Sequence, residues 1–342
     1  MVLIDKSKLT EFGVRLLVTK GVGEEKARYL AATAVATEAM GVHTHGVVLF
    51  RYWHEKVGTD IDPSAEPEVV KQTPAAATVD GHGGFGQLAI RLARELAVEK
   101  ATSHGIAMVA GRHMAWLGAL GVHILPLAEA GLFAQAWAHT NTCKDSAPWG
   151  GIDARFSTNP IALAFPTGGL PMLGDFSTSA LSIGRTHALA AKGERTPENL
   201  YMDKHGTPTN DPSVFDEGGS LFFTGGEHYG YRGYALSLWV EALTAMSGSS
   251  ANNPELPTTQ CFNLTVIDPA AFAGSDAYLG EMRRFVAHVK ASRLRPGFSA
   301  ILLPGERAQR AAQEAETRGV PVDDKLVGVL NEVAERAGLE RL

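Results

Sequence analysis

Residues 148–169 read PWGGIDARFSTNPIALAFPTGG, and Asp175-Phe176-Ser177-Thr178-Ser179 follows closely. The block sets one short apolar run, Ile161 to Phe165, between two groups of turn formers, which reads as a buried strand flanked by tight turns. The glycine pairs 150–151 and 168–169 let backbone come close to a neighbour or a ligand. In Thr158-Asn159-Pro160 the polar side chains suit a turn that bonds its own backbone. The carboxylate of Asp175 with the hydroxyls of Ser177, Thr178 and Ser179 offers donors and acceptors suited to a ribose or a phosphate. On spacing alone, a surface turn between two core strands fits the same residues equally well.

The flanks differ in texture. Upstream, Leu9, Phe12, Leu16 and Leu17 share one helical face ending near Gly21, Glu24 to Met40 is an alanine-rich second helix, and Gln87 to His104 a third, capped by Gly105. Beyond it the pattern turns to short β-like runs at Ile106–Val109, Phe133–Ala138, Ile161–Phe165 and Phe262–Ile267, with one helix at Arg232–Met246. The chain ends with a strand at Ala300–Leu303 and helices at Glu306–Arg318 and Asp323–Ala337. No G-x-G-x-x-G follows a strand and opens a helix, which excludes a Rossmann domain. Gly81-His82-Gly83-Gly84-Phe85-Gly86 reads instead as a turn and a helix start.

The 342 residues, 45% of them hydrophobic, are enough for a multi-lobed globular enzyme. A net charge of −6 without a basic block argues against nucleic acid or an anionic membrane as partner. The apolar stretch Leu117–Ala138 is interrupted by His123, Pro126 and Glu129 and does not read as a membrane span. Two cysteines, Cys143 and Cys261, make no disulfide framework, and the start MVLIDKSKLTEFG lacks the charged and apolar regions of a secretion signal, so a cytoplasmic protein is expected. The 12 histidines are scattered, with neither H-E-x-x-H nor a Cys pair, and no metal is expected. Cys143 reads as a buried thiol and Trp239 as core.

In order and spacing, several segments together resemble the malate/L-lactate dehydrogenase family, whose members include ureidoglycolate, sulfolactate and 2,3-diketogulonate oxidoreductases and Δ1-piperideine-2-carboxylate reductases. They are Thr44-His45-Gly46-Val47, Asp80 to Gln87, Leu117 to Gly121, Thr140-Asn141-Thr142, the Pro148–Gly169 block, Asp175 to Ser179, Ala191 to Glu194, Asp203 to Pro212, Arg232 to Leu236 and Leu303 to Glu306. The resemblance implies an α/β (α+β) fold with a largely antiparallel sheet that binds NAD or NADP, and a helical domain made from both chain ends. Residues 1–75 and 305–342 would form the helical domain and 76–304 the cofactor and substrate domain. It also implies a homodimer with the active site near the subunit interface. The cofactor is expected against Asp175, Phe176, Ser177, Thr178 and Ser179, against Arg232 and Gly233 at a helix start, and against Pro304, Gly305 and Glu306. Free amides at a helix start suit a pyrophosphate, though a solvent-exposed arginine fits the same place. The family's Ser-His-Gly maps onto Thr44-His45-Gly46. Taken alone, His45 reads as a helix-terminal histidine bonded to a carbonyl. Within the family it reads as the general acid, because hydride transfer to C=O or C=N leaves a proton to be delivered and imidazole titrates near working pH.

Three positions depart from the family's pattern. Trp116 stands where many relatives place a histidine, and indole cannot shuttle a proton. Leu49 stands where relatives often carry a carboxylate-binding arginine, leaving Arg51 nearby as the candidate. Arg232 replaces a lysine, exchanging a point charge for a planar fork. With Trp116, Thr140 and Asn141 as further substrate candidates, the expected substrate is a 2-oxo acid, its 2-hydroxy acid or a cyclic 2-imino acid, bulkier or less acidic than lactate or malate. A family member that binds cofactor without turnover is the alternative. No residue of the sequence fixes NAD against NADP.

Overall fold

A computed structural model describes residues 1–249 and 259–342. The chain begins with strand β1 (Val2–Ile4) and helices α1 (Lys6–Val18), α2 (Glu24–Ala39) and α3 (Val48–Lys56). Asp5 caps α1 by accepting from the Lys8 N–H at 2.9 Å, and the i, i+3, i+4 spacing of Leu9, Phe12 and Leu16 buries one face. The ring of Phe50 lies where a Cβ on Gly13 would be, 2.4 Å away, so α1 and α3 approach at the only residue type that permits it.

The central part runs β2 (Glu68–Gln72), β3 (Ala76–Gly84), α4 (Gly86–His104), β4 (Ile106–Met114), α5 (Gly121–Glu129), β5 (Phe133–Thr140), β6 (Pro160–Phe165) and β7 (Met172–Ser177). There follow α6 (Ile183–Lys192), the short strands β8 (Tyr201–Met202), β9 (Pro208–Thr209) and β10 (Ser220–Leu221), α7 (Gly226–Tyr229) and α8 (Tyr231–Thr244). The chain then returns as β11 (Gln260–Ile267) and finishes with α9 (Ser275–Lys290), α10 (Glu306–Arg318), β12 (Val320–Val322) and α11 (Asp324–Arg336).

Seven strands form the main sheet in the order β2-β3-β4-β11-β5-β6-β7, and only β3 with β4 is parallel. This is the expected non-Rossmann, largely antiparallel sheet. Ala89, Ala93, Ala97 and Ala101 of α4 bring that helix down onto Val109 and Leu264, small side chains allowing close helix–sheet contact. A separate core joins both chain ends: Phe12, Leu30, Phe50 and Trp53 pack with Val320, Leu330 and Val333, and β1 pairs with β12. Each such side chain contributes about 1.5–3 kcal/mol of burial.

Some expectations need correction. Ala300–Leu303 forms no strand; it leads into α10, and the bond from the Leu173 N–H of edge strand β7 to the Pro304 carbonyl is not continued as a ladder. The 81–86 glycine cluster is the end of β3 and the start of α4. Trp239 is not core but 63% exposed. At one end of the sheet, Gln260 of β11 pairs with Met114 of β4 and Thr140 of β5, and these strand ends open onto a cavity.

Candidate active site

The cavity, of about 850 Å³, is built on a turn pinned from beneath. Glu38, in the last turn of α2, is fully buried; its Oε2 accepts from the Val47 N–H at 3.0 Å and its Oε1 lies 2.6 Å from His43 Nδ1. Gly46 lies against it so closely that a Cβ would come within 2.1 Å of Oε2. The bond to Glu38 raises the His43 pKa, favouring imidazolium and hence an ion pair. Between these anchors the chain presents Thr44 and His45 to the cavity, with Thr44 Oγ1 and His45 Nδ1 2.8 Å apart.

Burial lowers the His45 pKa to about 4, so its imidazole is neutral at pH 7. Its ring meets Trp116 edge-on at 5.0 Å between centroids, and Trp116 in turn meets Tyr52 at 5.5 Å and 86°. Trp116 thus forms an apolar wall that orients the histidine. His113 and His123, the histidines nearest in sequence, do not line the cavity: His113 pairs with Asp80 at 3.1 Å, and buried His123 has its Nε2 3.1 Å from the Leu117 carbonyl.

The cavity is completed by Met114, Thr140, Cys143, Asp145, Ser157, Thr158, Ile183 and Gln260 among others. Thr140 Oγ1 accepts from Gln260 Nε2 at 2.9 Å. Cys143 is half-buried and faces the cavity rather than a core; desolvation, with the nearby Asp145 charge, raises its thiol to about 11, which keeps it protonated. Burial raises Asp145 to about 6, against an opposing hydrogen bond from the Thr158 backbone. Sequence reasoning missed Asp145, Tyr52 and Gln260, which no motif marks.

A second cavity, of about 730 Å³, is lined by Gly41, Val42, Ala119, Gly121, Leu173, Asp175, Leu303, Gly305 and Arg307 among others. The 41–46 turn and the 114–122 segment contribute to both cavities. Asp175 opens into this second space while its Oδ2 accepts from the Gly121 N–H at 2.7 Å, and desolvation, opposed by that bond, raises its pKa to about 6.

The remaining candidates are dispersed. Ser177, Thr178 and Ser179 donate their hydroxyls to the carbonyls of Ser179, Thr158 and Leu181, which fixes the strand-to-helix turn. Phe176 is exposed. Asn159, at φ 42°, ties its turn to α8: its Oδ1 accepts from the Ser157 hydroxyl while its Nδ2 donates to Ser237 Oγ and Glu241 Oε1, both at 2.8 Å. Asn141 is buried and accepts from the Thr259 N–H at 2.9 Å. Arg51 is exposed, pairs with Glu55 at 2.7 Å and lines neither cavity. Arg232 is exposed over the rings of Tyr229 and Tyr231, and Gly233 packs on Thr178 and Thr224. The Pro304 carbonyl accepts from the Leu173 N–H, Gly305 abuts Leu173, and Glu306 is buried, pairing with Lys290 and Arg310 and accepting from the Leu303 N–H. Among the described residues no group of three or more His, Cys, Asp or Glu could hold a metal ion, and no helix is long and apolar enough to cross a membrane.

A family model described as malate/L-lactate dehydrogenase matches residues 4–331. Malate dehydrogenase of Pyrococcus abyssi is 33% identical, the alignment covering 100% of this chain and 96% of that protein. A Δ1-pyrroline-2-carboxylate/Δ1-piperideine-2-carboxylate reductase of Pseudomonas putida is also 33% identical, over 92% of this chain and 91% of its own. The structure of malate dehydrogenase from Pyrococcus horikoshii superimposes with a TM-score of 0.89 at 30% identity, covering 100% of this chain and 97% of the other.

Proposed function

Because the chain belongs to the malate/L-lactate dehydrogenase family and is an oxidoreductase of that kind, we propose that it transfers hydride between NAD(P)H and a 2-oxo acid, its 2-hydroxy acid or a cyclic 2-imino acid. The observation that carries this reading is His45 in the larger cavity, paired with the Thr44 hydroxyl and backed by Trp116.

The second cavity suits a dinucleotide. Arg307 supplies a cation for a phosphate, the Asp175 carboxylate an acceptor for a ribose hydroxyl, and the Leu303–Gly305 turn and Gly121 allow close approach of backbone. When bound, the nicotinamide supplies or removes a hydride at the substrate carbon. His45 manages the proton. As a neutral imidazole it takes the proton of a hydroxyl during oxidation, and it returns that proton to the oxygen in reduction. Thr44 fixes the tautomer by engaging Nδ1 and leaving Nε2 for the substrate. Trp116 and Tyr52 exclude water and favour an apolar substrate body.

The same reading pairs two copies of the chain in the cytoplasm. Helix α8 is apolar on more than one side: Gly233, Ser237 and Val240 are buried, while Leu236, Leu238 and Trp239 stand exposed with Tyr229 and Tyr231 beside them. A helix of that kind calls for cover on its outer face.

Purified protein is to be mixed with NADH or NADPH and a panel of 2-oxo acids and cyclic imines while absorbance at the nicotinamide band is followed. Turnover of the 2-oxo acids that falls by about 10²–10⁴ in His45→Ala is the expected result; cofactor binding without turnover of any panel member would refute the reading.

A further inference from the structure

Among the described residues, the lining of the larger cavity carries a negative charge without a cation to meet it. Its lining among the described residues includes no lysine or arginine. Of its two carboxylates, Asp60 is neutralised by Lys56 at 2.6 Å. Among the described residues no cation pairs with Asp145; the Thr158 backbone N–H partly offsets its desolvation, and its own backbone is fixed between Phe156 and Leu221. His187, also in the lining, lies 3.7 Å from Asp216, outside it. His45 carries no charge at neutral pH.

We propose that Asp145 is a specificity-determining residue that selects substrates whose reacting group is a protonated imine, a cationic C=N beside an apolar ring, and rejects dicarboxylic 2-oxo acids. The proposal rests on the oxidoreductase reading above. An ionised carboxylate in a partly desolvated cavity attracts a cation and repels a dianion more strongly than it would in water. Trp116, Tyr52, Met114 and Ile183 give the ring an apolar bed.

The chemistry is consistent with a His45 that is unprotonated at neutral pH and so holds no ready proton to give. When a protonated imine is reduced, its carbon gains the hydride, the π pair moves onto nitrogen and cancels the charge, and the proton already on nitrogen stays there. The reductant, NAD(P)H, leaves as NAD(P)+. No proton has to be delivered during the hydride step, whereas a ketone needs one from His45.

The test compares the wild type with Asp145→Asn, an isosteric change, using NADH and NADPH with Δ1-piperideine-2-carboxylate, pyruvate and oxaloacetate. The wild type is expected to favour the imine over oxaloacetate in kcat/KM, and the variant to lower the imine-to-oxaloacetate ratio about 10- to 100-fold. A thermal melt checks that the variant is folded. A wild type that prefers oxaloacetate, or an Asn variant with the same ratio, overturns the role of Asp145 while leaving the oxidoreductase reading intact. No turnover of any of the three overturns both.

Discussion

Two turns facing the same cavity, 38–47 and 140–146, use a carboxylate in opposite ways. Glu38 is enclosed, bound by the Val47 N–H and by His43, with Gly46 packed against it. Asp145 has one backbone donor and an open cavity beside it. A carboxylate whose acceptors are satisfied by protein fixes a loop, whereas one left partly unsatisfied beside empty space is free to meet a ligand. On this view the first turn holds the chemistry in place and the second chooses what enters.

The most direct way to break the contrast is to remove what the first turn presents. His45→Ala is expected to lower kcat/KM for 2-oxo acid reduction by about 10²–10⁴, the range for loss of a positioned acid–base group, with little change in unfolding free energy. An undiminished rate in steady-state assays would move the proton transfer to another group. Removing the anchor is next in size. Glu38→Ala leaves the Val47 N–H buried without an acceptor and opens a void under Gly46. It should cost about 3 kcal/mol in urea unfolding. A loss below about 1 kcal/mol would mean that packing alone shapes the turn. Thr44→Val keeps the methyl contact to Gly184 and removes the hydroxyl next to His45 Nδ1. About a tenfold fall in kcat/KM is expected, near 1.4 kcal/mol, without a shift in Tm. Equal rates would show that the ring needs no orienting hydroxyl.

The sequence made the first turn legible and left the second obscure, for physical reasons. Thr44-His45-Gly46 is contiguous, so a motif could carry it. Asp145 shares its cavity with Ser157 and Gln260, which come from other parts of the chain and are brought together only by the fold. Helices α1, α2 and α4 were readable because their apolar spacing and glycine ends are local signals. Helix α9 was missed although Tyr278, Met282, Phe285, Val286 and Val289 recur at helical spacing; none of its residues is buried, so that stripe meets no core among the described residues. The hydroxyls of 177–179 show the reverse failure. Their composition suggested a ligand, yet hydroxyls can serve neighbouring carbonyls equally well, and here they do. Arg51 was close to the motif in sequence, but on α3 it turns to Glu55.

An effect of about the same size as that of Thr44→Val tests the second turn by stability alone. Burial raises the Asp145 carboxyl from 3.8 to about 6, so the folded protein holds this proton more tightly than the unfolded chain. The associated stability is complete below the unfolded value and is lost as pH rises through the folded one, across about pH 4 to 6. A rise of that size corresponds to about 3 kcal/mol at full burial; water entering the cavity reduces it to about 1–2 kcal/mol. Asp145→Asn cannot ionise, so its urea unfolding free energy should match that of the wild type near pH 4 and exceed it by that amount at pH 7. If the variant instead proves equal or weaker at pH 7, the carboxylate already has a stabilising partner in the protein. The contrast between an anchoring and a selecting turn would then fail. A larger excess would mean that the cavity is drier than its opening suggests, and that the charge there is held at still greater cost until a cation arrives.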